Sequence, residues 1–155
     1  MSQSVKIATI LPYKENYTFH KAQAAAIWVC DFFKYSKFKN TNYIFGNTKG
    51  NDYLTKNYIN ISINNLKSKF SSSTNEYCKN FIKKTKNNNF DIIEIHNRPL
   101  VFNYLKKEID SKYILYFHND PLSMNGSKTI NERLKLLDEL DKIIFVSKWV
   151  QNRFF

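Results

Sequence analysis

The sequence predicts an α/β domain: a Rossmann-like, three-layer fold with a mostly parallel sheet of about six strands. Short apolar runs alternate along the chain with longer segments of helical periodicity, which is the pattern of parallel strands joined by right-handed crossovers. The chain has 155 residues, 43% of them hydrophobic, so it is long enough to bury one core of this kind. With only 3 glycines and 3 prolines, collagen-like and Gly/Pro-rich disordered chains are excluded.

Six short apolar runs are the predicted strands. The first is followed by Pro12, the second is followed by the turn dipeptide Gly46-Asn47, and the third alternates apolar and polar residues. In chain order the six strands cover residues 5–11, 42–45, 58–63, 91–95, 113–117 and 142–146.

The first predicted helix covers residues 20–39. It is apolar on nearly all sides between Ala24 and Phe33, so we expect it to be heavily buried. A lysine- and serine-rich loop is predicted at residues 66–73. The helix after this loop has an apolar stripe formed by Tyr77, Cys78, Phe81 and Ile82.

Helix N-termini are indicated at three further places. Ser73 with Glu76, and Thr129 with Glu132, have the spacing of a capping box, in which two residues bond each other's backbone N–H groups. Pro99 fits the first turn of a helix, where its missing N–H costs nothing. These positions begin the helices that precede strands four, five and six.

The end of the chain is unusual for a finished helix. A last helix is predicted to begin at Ser147, and the sequence stops at Phe155 without a glycine C-cap. A helix that stops in this way leaves carbonyl groups and an apolar face without partners. We therefore expect the chain to be cut short.

The net charge is +11, yet arginine occurs only at Arg98, Arg133 and Arg153. Nucleic-acid-binding proteins usually carry more arginine, whose fork matches phosphates and guanine edges, so no nucleic-acid partner is expected. Two interpretations of the charge remain open. The lysines form either solvated faces or a functional basic surface, and for such a surface an anionic membrane or an acidic substrate competes on equal terms with nucleic acid.

Cys30 and Cys78 stand far apart in helical patterns, which indicates small buried side chains in a reducing compartment. No metal-ligand spacing occurs, so neither a metal nor a bound cofactor is expected. The N-terminus lacks the apolar stretch of a signal peptide, and no apolar run is long enough to span a membrane. We predict a cytoplasmic protein and leave contact with the inner membrane surface open.

Polar segments follow three of the predicted strands. In open parallel sheets, ligands bind beyond the carboxyl ends of the strands where the strand order reverses, which for a Rossmann-like order is between strands one and four. The polar segments at these strand exits are residues 12–20, 96–98 and 118–120. They contain no G-x-G-x-x-G and no Walker lysine, which excludes the usual NAD and P-loop sites.

All three histidines, His20, His96 and His118, fall at strand exits or helix starts. A neutral imidazole there can bond sugar hydroxyls or phosphates, although it can also serve only to satisfy a neighbouring backbone group. Arg98 adds a fixed fork for phosphate or carboxylate. The roles of two acidic residues remain open. Glu94 either points into the cleft or pairs with a lysine, and Asp120 either orients His118 or belongs to a turn.

The segments FDIIEIHNRP, YILYFHNDP and LDKIIFVSKWVQNRF resemble the N-terminal domain of glycosyltransferase family 4, a GT-B family. The resemblance covers most of the chain and is strongest from Phe90 onward. It implies a retaining, metal-independent transferase that uses a nucleotide-diphosphate sugar. In this family two Rossmann-like domains enclose a cleft, in which the N-terminal domain holds the acceptor and the C-terminal domain holds most of the donor.

The resemblance also implies roles for individual residues. His118 matches the histidine near the transferred sugar and is the expected catalytic residue, whereas His96, Asn97 and Arg98 match the acceptor side. To substrate binding we also assign Asn119 and His20. The family carries paired glycines near the donor diphosphate after strand one, where this chain has HKAQAAA, which argues against a donor contact by this loop.

Residues 1–155 are thus expected to be the single, acceptor-side domain of a hexosyltransferase-type enzyme whose C-terminal donor domain is absent. Its acceptor would be a cell-envelope saccharide or glycolipid, as in lipopolysaccharide or polysaccharide biosynthesis. The chain alone is expected to be inactive because the missing half stabilises the leaving diphosphate. The alternative is a non-catalytic Rossmann-like module that binds anionic ligands through its lysines, with strongly salt-dependent affinity.

Overall fold

The computed structural model describes residues 4–63 and 72–155 and confirms the α/β fold. Its six strands form one sheet in the order β3-β2-β1-β4-β5-β6, and every neighbouring pair is parallel. The order reverses between β1 and β4, as predicted for a Rossmann-like domain. The strands are β1 (Ile7–Ile10), β2 (Asn42–Gly46), β3 (Tyr58–Asn60), β4 (Ile92–His96), β5 (Lys112–Phe117) and β6 (Lys142–Phe145).

Helices cover both faces of the sheet and complete the three layers. They are α1 (Ala24–Tyr35), α2 (Ser73–Thr85), α3 (Pro99–Leu105), α4 (Ile130–Glu139) and α5 (Lys148–Phe154), with a short 3-10 helix at Pro121–Ser123. Within the described ranges, none of the helices has the length and apolar character needed to cross a membrane.

The larger core lies between the sheet and helices α2 to α5. Alternate strand residues such as Ile93 and Ile95 of β4 point to this side, where they meet Phe81 of α2 and Phe102 of α3. Because successive side chains of a strand point to opposite faces, the residues between them, such as Glu94, belong to the other side of the sheet.

The smaller core lies under α1. Val29 and Cys30 of this helix pack with Ile44 of β2 and Tyr58 of β3. The prediction of a long, heavily buried helix at residues 20–39 is wrong in length and in burial. Among the described residues α1 is the one helix of this smaller core, so its outward side has nothing to pack against, and Phe32 is 49% exposed.

Helix starts match the sequence signals with one exception. The capping box of Thr129 and Glu132 is confirmed: Thr129 N–H donates to Glu132 Oε2 at 2.9 Å, and Glu132 N–H donates to Thr129 Oγ1 at 3.2 Å. The capping box at Ser73 is wrong. Ser72 is the N-cap instead and accepts from the N–H of Asn75, because neighbouring serines offer equivalent caps.

The remaining terminal signals hold. Pro99 stands at the first position of α3, and Ser147 caps α5 by accepting from Val150 N–H at 3.2 Å. Cys30 and Cys78 are buried free thiols, as expected. The loop predicted at residues 66–73 lies for the most part outside the described residues.

Candidate functional site

The predicted strand exits meet at the carboxyl edge of the sheet. His96 is the last residue of β4, and its register partner in β5 is Tyr116, so His118 follows two residues later at the same edge. β1 pairs with β4 on the other side, which brings the loop after β1 to this edge as well. The site therefore lies where the strand order reverses, which is the usual ligand position in such folds.

Two imidazoles form the centre of this edge. His96 Nδ1 lies 2.8 Å from His118 Nε2, a hydrogen-bonding distance. The His96 ring stacks on Tyr116 with centroids 4.5 Å apart and planes 8° apart. Trp28 of α1 covers both, with its centroid 5.7 Å from His96 and 5.3 Å from His118.

Burial keeps both imidazoles neutral. Burial, with a smaller contribution from the neighbouring His118, holds the pKa of His96 well below its usual range. Burial also lowers the pKa of His118 to about 4. At neutral pH each ring therefore carries one proton.

The two histidines differ in their access to solvent. His96 is 0% exposed, and its Nε2 has no hydrogen-bond partner within the described part of the chain. The expectation that His96 lines the substrate side is thereby corrected, because its ring lies beneath Trp28 and Tyr116. His118 is half-buried and is the imidazole of the pair that reaches solvent.

Glu94 lies on the same face, two residues before His96, and is buried. It neither points into the cleft nor pairs with a lysine, since its Oε2 lies 2.8 Å from the Thr9 hydroxyl and its Oε1 accepts from Tyr116 Oη at 3.3 Å. Burial raises the pKa of Glu94, and the two hydrogen bonds oppose that shift. Thr9 Oγ1 also lies 2.9 Å from Asn42 Oδ1. A single hydroxyl proton cannot serve both acceptors, so a protonated Glu94 donating to Thr9 would complete this chain of bonds.

Asn97 holds the end of β5 in place. Its φ of 53° is in the left-handed region, which asparagine tolerates better than most residues. Its Oδ1 accepts from the backbone N–H of His118 at 2.7 Å and of Asn119 at 3.3 Å. The side-chain oxygen of Asn97 is therefore occupied by the backbone, although Asn97, a predicted substrate-binding residue, still lines the adjacent cavity.

A polar cavity of about 380 Å³ opens beside this edge. It lies between the loop after β1, the starts of α2 and α3, and the loop after β5. Arg98 and Lys128 bring positive charge to it, and none of its described lining residues is an aspartate or a glutamate. Its other polar lining residues include Thr74, Asn97, Asn119, Ser123 and Asn125. A cavity of this composition suits an anionic, hydroxyl-rich ligand.

Arg98 is held in a fixed orientation at the cavity wall. Its guanidinium lies over the Tyr13 ring at 5.5 Å, and Nη1 donates to the carbonyl of Asn97 at 2.9 Å. Its Nε is buried without a partner in the described residues. A guanidinium held in this way brings a fixed positive charge to the cavity, where it can attract a phosphate or carboxylate.

The loop after β1 carries an acid at the start of α1. Glu15 Oε2 accepts from the N–H of Ala26 at 2.9 Å. Burial raises the pKa of Glu15, whereas the bond from Ala26 and the charge of Arg98 lower it. In the HKAQAAA segment this amide is thus already bonded by a carboxylate.

Two predicted residues lie outside this arrangement. His20 is exposed in the turn before α1, and among residues 4–63 and 72–155 it forms no hydrogen bond to the other imidazoles. Asp120 belongs to the turn rather than to His118: it accepts from Leu122 N–H at 3.0 Å and pairs with Arg153 at 3.0 Å. No group of three or more His, Cys, Asp or Glu in the described ranges could hold a metal ion.

Sequence reasoning missed three contributors to this site: Tyr13, Trp28 and Lys128. Tyr13 lies in the polar segment after the first strand, so its position was the available signal. Trp28 lies within an apolar helix segment, and Lys128 is one of many lysines. No sequence pattern distinguishes either of them as a site residue.

Comparison with known proteins supports the fold. No protein-family model matches the chain, and no curated protein matches it in sequence. Among solved structures, a sucrose-phosphate synthase from Thermosynechococcus elongatus superposes with a TM-score of 0.61 over 94% of this chain and 79% of that chain, at 11% identity. At this identity the likeness shows a shared, GT-B-like fold and does not distinguish family 4.

Proposed function

We propose that this chain is the N-terminal, acceptor-side domain of a retaining glycosyltransferase related to family 4. The observation that carries the proposal is a neutral, half-buried His118 at the edge where the strand order reverses, next in sequence to Asn119, which lines the cavity that Arg98 also lines. The GT-B-like fold, shared with a protein named a sucrose-phosphate synthase, supports it. The complete enzyme would move a hexose from a nucleotide-diphosphate sugar to an envelope saccharide or glycolipid.

In this proposal the side chains of the site have separate roles. His118 offers a neutral imidazole to an oxygen of the transferred sugar. Arg98 and Lys128, with the amide of Asn119, bind an acceptor that carries a phosphate or carboxylate. We assign His20 no role in it, because His20 is not among the residues that line the cavity and is not part of the imidazole pair.

The donor would be held by a second domain facing this edge. The α1 amide of Ala26 is occupied by Glu15, so the loop after β1 contributes little to a donor diphosphate. Residues 1–155 alone would then bind acceptor without transferring sugar. The proposal keeps the protein in the cytoplasm, with peripheral membrane contact for a lipid-linked acceptor.

The binding test uses this chain and calorimetric titration with glucose, glucuronate and glucose 6-phosphate. We expect the two anionic sugars to bind more tightly than glucose. Arg98→Gln should lower the affinity for the anionic sugars by about tenfold, which corresponds to the loss of one charge-assisted hydrogen bond. Lys142→Gln, an exposed lysine at the start of β6, is the control and should bind like the unmodified chain.

Two results would count against the proposal. Equal weakening by Arg98→Gln and Lys142→Gln would mean that affinity follows net charge. Binding of any polyanion without preference for sugars, with an affinity that falls steeply as the salt concentration rises, would favour the non-catalytic module. The absence of Asp and Glu from the described cavity lining is also consistent with that module. The coding sequence after Phe155 is a separate test, since the proposal expects a second α/β domain there.

A further inference from the structure

His96 cannot contact a ligand, yet it is hydrogen-bonded to the residue proposed to do so. Its ring is fully buried, and its Nδ1 meets Nε2 of His118 at 2.8 Å. We infer that His96 is a positioning residue that donates from Nδ1 and thereby fixes His118 in the tautomer protonated on Nδ1. The use of this tautomer rests on the proposed function, whereas the tautomer itself does not.

The direction of the hydrogen bond follows from counting protons. Burial lowers the pKa of both rings, so two neutral imidazoles share two N–H groups and two lone pairs. One N–H must lie between the rings. If His118 donated it, the proton of His96 would sit on Nε2, which is buried and has no partner in the described ranges. Orphaned buried N–H groups are rarer than orphaned acceptors, so donation by His96 Nδ1 is favoured.

The groups around His96 do not offer another way to hold its proton. From β5, Tyr116 stacks flat on the ring, and its hydroxyl bonds Glu94. From α1, Trp28 lies over the ring at 5.7 Å. Glu94, on the same strand, is bonded by Thr9 and Tyr116. A bare Nε2 lone pair is therefore the arrangement that costs least in this apolar setting.

His118 is restrained on each side but one. Its backbone N–H is held by Asn97 Oδ1 at 2.7 Å, its Nε2 by His96, and its ring by the edge contact with Trp28. Its Nδ1 forms no hydrogen bond within the described residues. With the proton placed there, His118 presents a donor to a sugar or phosphoryl oxygen, where the other tautomer would present a lone pair.

Nitrogen-15 spectra of the histidine rings test this on the chain as it stands, without any ligand. At pH 7.5 we expect His118 to show a protonated Nδ1 and a bare Nε2. His20, exposed in the same chain, serves as the internal reference for a ring in contact with solvent. A His118 protonated on Nε2, or exchanging between the two tautomers, would overturn the inference.

Two substitutions separate positioning from packing. His96→Phe keeps an aromatic ring on Tyr116 but removes the donor, so His118 should shift to a mixture of the two tautomers. His96→Asn places an amide N–H near the position of Nδ1 and should restore the original tautomer. Failure of the Asn variant to restore it, in a chain whose amide spectrum is folded, would contradict a positioning role. If His96→Phe does not fold, the Asn variant and the unmodified chain still decide.

Affinity for glucose 6-phosphate links the tautomer to the site. We expect His96→Phe to weaken it by about tenfold, the loss of one hydrogen bond, and His96→Asn to recover most of it. A tautomer fixed as described, with no binding of any sugar, would reject the proposed function and leave the positioning intact. Sugar binding by a chain in which His118 has the opposite tautomer would reject the positioning role of His96 and leave the proposed function intact.

Discussion

The two faces of the sheet differ in what they bury. The face toward α2 to α5 is filled with apolar side chains such as Ile93, Phe81 and Phe102. The face toward α1 buries Glu94 and His96. One face is thus a conventional core, and the other carries polar groups that each need a specific partner.

This difference shows how the domain separates stability from chemistry. Apolar burial stabilises whatever its detailed geometry, at roughly 25 cal/mol per Å². Buried polar groups contribute little net stability and are destabilising when a partner is missing. Because β4 alternates between faces, Ile95 serves the core while its neighbours Glu94 and His96 serve the site.

The largest expected effect comes from truncating the apolar face. Phe81 of α2 is 1% exposed and packs edge-on against Phe45 at 4.9 Å. Phe81→Ala should lower the free energy of unfolding by about 3–5 kcal/mol in urea denaturation. The matched change on the other face is Phe32→Ala in α1, a half-exposed ring stacked on Trp28, which should cost about 1 kcal/mol or less. Equal losses would mean that α1 is covered in solution.

The second effect is a decrease in the free energy of unfolding at acidic pH, caused by protonation of the imidazole pair in the unfolded chain. The folded-state pKa of His118, about 4, is below its ordinary value of 6.5, so the unfolded chain takes up a proton that the folded chain refuses. The contribution of His118 to the free energy of unfolding is therefore fully present above pH 6.5 and is lost as the pH drops toward 4. Because His118 is partly exposed and solvent screens it, its slope should stay below the limit of about 1.4 kcal/mol per pH unit. The shift of His96 has the same direction and steepens the fall.

Denaturation at several pH values between 4 and 7.5 measures this slope. His118→Asn should reduce this slope by the contribution of one imidazole. His20→Asn, at an exposed position, should have the same slope as the unmodified chain. A slope that is the same in the unmodified chain and in His118→Asn would show that the imidazole pair is not buried as described.

The smallest effect, with the opposite sign, is expected at Glu94. Burial raises its pKa, so ionisation of the folded chain is penalised as the pH rises above the ordinary glutamate range. Glu94→Gln keeps the shape and can still bond Thr9, so it should be slightly more stable at pH 7.5, by about 1 kcal/mol or less. The gain should vanish below pH 4.5, and exposed Glu108→Gln should show none. A loss of stability at pH 7.5 would mean that Glu94 is needed as a carboxylate.

Local patterns were sufficient for most of the fold. The six apolar runs become six strands, and Pro99, Thr129 and Ser147 begin helices where the sequence indicated. These features depend on backbone preferences within a few residues, so they can be inferred from the sequence alone. The burial of α1 was misjudged, because burial depends on which other elements cover the same face.

The sequence by itself determined the strand runs, the helix starts and the edge at which polar residues collect, since all of these follow from local pattern and the geometry of parallel sheets. Only the tertiary structure decided which of those residues meet. His96 and His118 are 22 positions apart and bond because β4 and β5 pair in one particular register. Trp28 buries one ring and leaves the other accessible, which depends on where α1 packs on the sheet and on no feature of its own sequence.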